Sequence, residues 1–317
     1  MPTTADDARW LAAAASLAER ARPLSRPNPA VAAIVVRDGM VAGRGWTGTG
    51  GRPHAEAIAL AQAGEQARGA TLYVTLEPCA HQSARGPACA DLAAAAGLGR
   101  AVIGVSDPDP RTAGQGIGRL EAAGVETTLA DDPACRASVA GYLMLRTQGR
   151  PHVTLKLAVT ADGFVARPDG TSKWITGEAA RAHVHRERAR ADAIMVGAGT
   201  LRADAPRLDV RLPGLENRSP ERLVLTRGAA PEGWRALPSP EAIHELSDCQ
   251  YLFVEGGAQT ATAFIGANLI DRILLYRART TFGEGIAAFP GGMPYGWVTV
   301  DRRHLGTDML EILERAG

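Results

Sequence analysis

Pro53-His54-Ala55-Glu56, then Glu77-Pro78-Cys79, then Cys89 decide how the first half of the chain is read. His54, Cys79 and Cys89 offer one imidazole and two thiolates, a set that suits a tetrahedral Zn²⁺ keeping its fourth position for water. Glu56 lies two residues past the histidine, close enough to reach that water without binding the metal. A carboxylate so placed can take a proton from the water and later hand one to a leaving amine. His-x-Glu followed by Pro-Cys and a further Cys is the pattern of zinc-dependent base deaminases. Singly, a His before an Ala-rich helix or a small buried Cys is more often structural. Together, with Glu56 in place and Pro78 before the first thiol, they read as a catalytic metal site. The spacing is unusual: nine residues separate Cys79 from Cys89, where the common pattern has two.

Around this motif the first half reads as alternating strands and helices. Asp6 to Ala21 is an amphipathic helix with Thr4 or Asp6 as N-cap, ended by Pro23 and Pro27. Ala30 to Arg37 and Met40 to Gly45 are strands joined at Asp38-Gly39, a hairpin signal. His54 and Glu56 fall in the first turn of a helix running to about Ala63, near its positive end. Thr71 to Thr75 is a strand that delivers Glu77-Pro78-Cys79, and Cys89 starts the next helix. Arg100 to Val105 and Val125 to Leu129 complete the pattern, with the rigid loop Asp107-Pro108-Asp109-Pro110 between them. The order predicts an α/β layered domain.

Leu145 to Pro151 lacks a hydrophobic period, so a seam is expected near Gln148, dividing the chain into 1–147 and 148–317. The second half restarts with a strand, His152 to Thr160, and continues with a helix from Glu178 to Ala191. Strands follow at Ala193 to Val196, Arg222 to Thr226, Tyr251 to Val254, Arg272 to Tyr276 and Trp297 to Asp301. No cluster of metal ligands appears there. Instead, two strand–glycine–helix junctions, at Gly197/Gly199 and Gly256/Gly257, present backbone N–H groups to an anion. Arg202 stands where a third glycine would complete the dinucleotide fingerprint, so these junctions, with Asp204, Arg207 and Arg211 nearby, leave two readings open, plain tight turns or a site for a phosphate-bearing ligand.

The whole-chain numbers exclude several classes. The formal charge is +1, from 35 basic and 34 acidic residues, and only Arg181 to Arg190 is locally basic. That is not the electrostatic footprint of a nucleic-acid binder. Four cysteines, at 79, 89, 135 and 249, are too few for a disulfide framework. No apolar run reaches membrane-spanning length, and Asp6-Asp7 sit where a signal peptide would carry positive charge. A cytoplasmic enzyme with no membrane and no nucleic-acid partner is expected.

These stretches carry a resemblance. Pro27-Asn28-Pro29, His54-Ala55-Glu56, Thr75 to His81, Arg85 to Cys89 and Asp107 to Pro110 resemble the deaminase half of the bifunctional pyrimidine deaminase/reductase family of riboflavin biosynthesis. Lys156 to Gly163, Ser172 to Thr176, Thr200 to Arg211 and Val254 to Gly257 resemble its reductase half. The resemblance implies a cytidine-deaminase-like three-layer domain followed by a dihydrofolate-reductase-like α/β domain. It implies Zn²⁺ and NADPH as cofactors, and a pyrimidine nucleotide that is deaminated and then reduced from ribosyl to ribityl. It assigns Asn28, His81, Arg85 and Asp107 to the nucleotide beside Glu56, and Ser172, Arg188, Leu208, Arg211 and Glu255 to the substrate of the second site. Ala158, Trp174, Thr200, Asp204, Thr226, Gly256 and Gly257 are the implied cofactor contacts, and a homo-oligomer formed through the reductase domain is expected. Arg188 and Arg211 have the paired N–H donors that grip a phosphate. The family usually has eight residues between the two cysteines, and Asp109 stands where Asn is common. The competing reading is a monofunctional nucleotide deaminase whose second half is folded but inactive.

Overall fold

The computed structural model describes residues 3–81, 86–172, 175–293 and 295–316. The chain divides into two compact units, Met1–Gln148 and Gly149–Gly317.

The N-terminal unit contains helices α1 (Ala5–Ala18), α2 (Ala55–Ala63), α3 (Cys89–Ala95), α4 (Gln115–Ala122), α5 (Pro133–Ser138) and α6 (Ala140–Gln148). Its strands are β1 (Ala32–Arg37), β2 (Met40–Trp46), β3 (Thr71–Val74), β4 (Arg100–Ile103) and β5 (Glu126–Leu129), in sheet order β2-β1-β3-β4-β5. β1 runs antiparallel to both neighbours, whereas β3, β4 and β5 are parallel. Thr4 closes a capping box on α1: its hydroxyl accepts from Asp7 N and the Asp7 carboxylate accepts from Thr4 N. Asp7 also accepts from Tyr73 and pairs with Arg100, which ties the helix to β3 and β4. Asp38 and Gly39 both take positive φ, at 51° and 75°, as the two-residue hairpin turn requires.

The position of α2 follows from two glycines of β2. A Cβ on Gly43 would stand 2.1 Å from Ala59 O, and one on Gly45 would stand 2.5 Å from Ala55 O. The helix therefore lies directly on strand backbone, closer than any side chain would allow. Its buried residues Ala55, Ala59, Leu60 and Ala63 join Val35, Leu72 and Val74 in the core of the unit. The expected strand and helix order holds from β1 to β5. Sequence periodicity missed α5 and α6; Leu145 to Gln148 of the expected seam are the last turn of α6, and the chain divides directly after it, between Gln148 and Gly149.

In the C-terminal unit an eight-stranded sheet has the order β10-β9-β8-β11-β6-β12-β15-β14. The strands of the unit are β6 (His152–Val159), β7 (Phe164–Ala166), β8 (Ala193–Gly197), β9 (Glu221–Leu225), β10 (Arg235–Leu237), β11 (Tyr251–Val254), β12 (Arg272–Arg277), β13 (Ile286–Ala287), β14 (Trp297–Leu305) and β15 (Asp308–Arg315), of which β7 and β13 pair with each other apart from that sheet. The helices are α7 (Glu178–Arg188), α8 (Ala198–Asp204) and α9 (Ala258–Gly266). Strands β10 through β12 are parallel along that order, and β15 and β14 add an antiparallel edge. Alternation along β8 sends Ala193 and Met195 into one core and Ile194 and Val196 into the other, so both faces are covered. β7, β10, β13 and β15 had no clear sequence signal, and β14 runs four residues past the expected Asp301.

Candidate active sites

His54 is the N-cap of α2 and precedes its first turn, so the imidazole and Glu56 do not share that turn as expected. Cys79 follows β3 on a short loop, and Cys89 is the first residue of α3. His54 Nδ1 lies 3.2 Å from Cys89 Sγ and 3.5 Å from Cys79 Sγ, and the three donor atoms all fall within 4.8 Å of one another. A tetrahedral Zn²⁺ with bonds of about 2.0 Å to N and 2.3 Å to S sets N···S separations of ~3.5 Å. The donor set fits that ion in type and in spacing. The two sulfurs are close enough to share a proton: the hydrogen bond with Cys89 pulls Cys79 down to about 4, while that bond and burial push Cys89 up. Two adjacent thiolates need a cation between them, and a divalent metal provides it.

Glu56 is 3% exposed, and burial pushes its carboxyl up to about 7. That value is suited to accepting and returning a proton near neutral pH. Asn28 Nδ2 lies 3.0 Å from His54 Nε2 and donates to Gly51 O at 2.9 Å, so it fixes the His54 ring. Such outer contacts orient a ligand imidazole. Asp107 is buried, and its Oδ1 accepts from Tyr142 Oη at 2.8 Å and Asp109 N at 2.9 Å. Burial raises its carboxyl above the usual range. The Nδ1 of His81 is buried and has no hydrogen-bond partner among the described residues. A cavity of about 290 Å³ opens beside His54 and Cys89, with Arg52, Ala57, Pro87 and Leu92 in its wall. Arg85 lies outside the described residues.

In the C-terminal unit the two glycine junctions come together. β8 and β11 are adjacent and parallel, and their chains leave in opposite directions, toward β9 and toward β12. Such a crevice at the carboxyl ends of strands is where open α/β sheets take ligands. Thr260 packs against both junctions: a Cβ on Gly197 would be 2.4 Å from its Oγ1, and one on Gly256 2.5 Å from its Cβ. Gly257 caps α9, and a Cβ there would meet only Thr200 Oγ1, at 3.9 Å. Thr200 and Gly257 thus lie next to each other, one from each junction. Thr226 follows β9, next to β8, with its hydroxyl accepting from Gly228 N. Asp204 is exposed at the end of α8, Leu208 is buried and Ser172 is exposed. Trp174 lies outside the described residues.

Arg188 and Glu255 form a two-pronged pair, Nε to Oε1 at 2.6 Å and Nη2 to Oε2 at 3.1 Å. Arg188 Nη1 also donates to Asp209 O at 3.0 Å, so this guanidinium is engaged by protein groups. Arg211 is more open: it is 60% exposed, with Nε 3.5 Å from Asp209. Sequence reading gave Lys156 no role of its own. Its Nζ lies 4.0 Å from Glu255 Oε2, on the β6 face that also carries Ala158. Burial pushes the Lys156 ammonium down, with Arg188 adding to the effect and Glu255 opposing it. Burial alone would raise Glu255, but Arg188 and Lys156 hold it below the usual carboxylate range.

Comparison with known proteins bears on both units. A model of the cytidine and deoxycytidylate deaminase zinc-binding region matches residues 4–105, and a model of the RibD C-terminal domain matches residues 151–310. Riboflavin biosynthesis protein RibD of Aquifex aeolicus (strain VF5) is 35% identical over 319 residues, 89% of each chain. The chain belongs to the RibD family. RibD of Mycobacterium tuberculosis (strain H37Rv) is 39% identical over 280 residues, 83% of this chain and 82% of its own. Acinetobacter baumannii RibD, form 1, superposes with a TM-score of 0.83 at 33% identity, covering 98% of this chain and 99% of that one. A Thermotoga maritima structure, described as a diaminohydroxyphosphoribosylaminopyrimidine deaminase/5-amino-6-(5-phosphoribosylamino)uracil reductase, gives 0.87 at 29% identity over 98% of each chain. As a RibD, this protein is a bifunctional deaminase and reductase of riboflavin biosynthesis that uses zinc in the first activity and NADPH in the second. The monofunctional alternative falls with that finding. Among the described residues, no helix is long and apolar enough to cross a membrane.

Proposed function

We propose that the N-terminal unit deaminates 2,5-diamino-6-ribosylamino-4(3H)-pyrimidinone 5′-phosphate and that the C-terminal unit reduces the ribosyl group of the product to ribityl. The observation that carries this reading is the His54/Cys79/Cys89 set with the buried carboxyl of Glu56 beside it. Zinc, when bound by those three residues, supplies a Lewis acid and draws a nucleophile from water near neutral pH. Glu56 takes up a proton at a carboxylate oxygen and returns it to the departing ammonia. Asn28 holds the His54 ring and borders the pyrimidine, His81 offers its unpartnered Nδ1 to it, and Asp107 and Arg85 complete the grip on the nucleotide.

In the second unit NADPH supplies hydride when bound, with Thr200, Gly256, Gly257, Ala158, Trp174, Asp204 and Thr226 around it. Reduction of the ribosyl group would require hydride at C1′, opening of the C1′–O4′ bond and a proton at O4′. Lys156, held beside Glu255 with its pKa lowered, is the group suited to give that proton. Ser172, Leu208 and Arg211 line the nucleotide, and Arg211 meets its phosphate. The reductase unit associates with a second copy: the edge strand β14 keeps Val298 46% and Val300 53% exposed. Thiolate ligands suit a reducing cytoplasm.

The test is metal analysis with turnover of the diaminopyrimidine nucleotide, with and without NADPH. About one zinc per chain is expected. Ammonia should be released without NADPH, and the ribityl product should form only with it. A metal-loaded protein that leaves this nucleotide untouched overturns the substrate assignment.

A further inference from the structure

Glu77 stands two residues before a proposed metal ligand, yet its carboxylate turns away to another task. It is 2% exposed. Its Oε2 accepts from Ser106 Oγ at 3.1 Å, Asp107 N at 3.2 Å and Gly114 N at 3.2 Å. Its Oε1 accepts from Gly116 N at 3.0 Å and Ile117 N at 3.3 Å. Both ends of the 106–117 segment are therefore fastened to one side chain. α4 has Gly114 at its N-cap, with no side chain to satisfy its first N–H groups, and Glu77 supplies the missing acceptor from elsewhere in the sequence. Packing agrees: a Cβ on Gly116 would stand 2.1 Å from Pro78 O, so α4 rests on the backbone that leads to Cys79.

We propose that Glu77 is a positioning residue of the deaminase site, clasping the loop that bears Asp107 and the start of α4 against the strand end that delivers Cys79. It acts through Asp107 and touches neither metal nor substrate. The proposal rests on the reading that Asp107 meets the nucleotide. A carboxylate is needed because every partner is a donor. Glutamine would turn an NH₂ group toward two or three of them, so the isosteric change is disruptive. Cys79 and Cys89 have their own link, Cys89 N to Cys79 Sγ at 3.3 Å and Ala90 N to Cys79 O at 3.1 Å, and the metal loop should survive the loss of the clasp.

The test compares Glu77→Gln and Ser106→Ala with wild type in the full-length, zinc-loaded protein. It reads zinc content, deaminase KM and kcat, NADPH-dependent reduction, and amide exchange over residues 106–117. For Glu77→Gln the expectation is retained zinc and unchanged reduction. KM for the nucleotide should rise about tenfold or more, with kcat within about threefold, the scale of losing hydrogen bonds to a charged group. Exchange over 106–117 should quicken by a similar factor, while that over α3 stays put. Ser106→Ala removes one side-chain donor, should move both quantities in the same direction by less, and decides alone if Glu77→Gln does not fold. Zinc lost with 106–117 still protected, or KM unchanged with the segment loosened, overturns the proposal. Wild type that fails to deaminate this nucleotide refutes the substrate reading instead, and the exchange data still decide whether Glu77 is the clasp.

Discussion

Replacing Glu255 by Gln tests the charge arrangement in the C-terminal unit. In the native chain this carboxylate faces two cations, Arg188 at 2.6 Å and Lys156 at 4.0 Å, and the three side chains are only 10–21% exposed. Glutamine keeps the shape and leaves two buried positive groups facing a neutral amide. Breaking a buried pair from one side costs about 3–5 kcal/mol. Lys156 can relieve part of this by shedding its proton, so the lower figure applies: about 3 kcal/mol, or ~6–12 °C in the melting temperature of a unit this size. The pH dependence has a definite sign. A lysine whose folded pKa is depressed binds its proton more weakly in the folded than in the unfolded chain. Folded-state stability therefore rises with pH through that window, up to the unfolded value of about 10.4. Losing Glu255 removes the group opposing the depression of Lys156, so the window widens. The deficit of Glu255→Gln should be largest near pH 7 and shrink toward pH 10. Thermal unfolding across that range, with NADPH oxidation and ammonia release measured separately, reads the outcome. Reduction should fall and deamination should not. A variant that melts within 2 °C of wild type at pH 7, or whose deficit grows with pH, refutes the reasoning.

Glu56→Gln should retain its zinc and lose at least about a hundredfold in deamination, since Gln keeps the shape of the side chain without its proton chemistry; ammonia release paired with metal analysis checks it. Cys89→Ser should lose both metal and deamination, whereas Cys135→Ser, which changes a buried thiol 3.7 Å from Leu11 O, should keep both. Gly45→Ala should push the start of α2 off β2, because its Cβ would stand 2.5 Å from Ala55 O; overpacking of this kind costs about 1–3 kcal/mol, and deamination should drop while NADPH-dependent reduction persists.

The metal site was legible because its chemistry is carried by residue type. Few contexts call for a His, two Cys and an offset Glu together, and the fold needed only to bring 54, 79 and 89 to one point, as it does. The strands and helices from β1 to β5 were legible because each turn has its own signal, such as Asp38-Gly39. What stayed hidden depends on partners distant in sequence. Nothing local marks Gly43 and Gly45 as the seat of α2, since their meaning lies in the approach of Ala55 and Ala59. Glu77 reads as one letter of a metal motif until the 106–117 segment folds over it. α5 and α6 were missed because Ala137 to Gly141 breaks the apolar period, although Asp132 caps α5 and Pro133 opens it.

The second site shows why residue type alone assigns roles poorly where charges are plentiful. Arg188 and Arg211 look equivalent as phosphate grips, but the fold separates them. Arg188 is fully committed at Nε, Nη1 and Nη2, so substrate phosphate would have to compete with Glu255 in a buried setting. Arg211 is 60% exposed and meets Asp209 only at 3.5 Å, a contact that is cheap to give up. The physical division of labour follows from that difference. Arg188 and Lys156 hold Glu255 as an anion, while Arg211 is left largely open to solvent. A sequence lists three cations and two anions here, and which of them pair is set by the fold that brings β6, α7 and the end of β11 together.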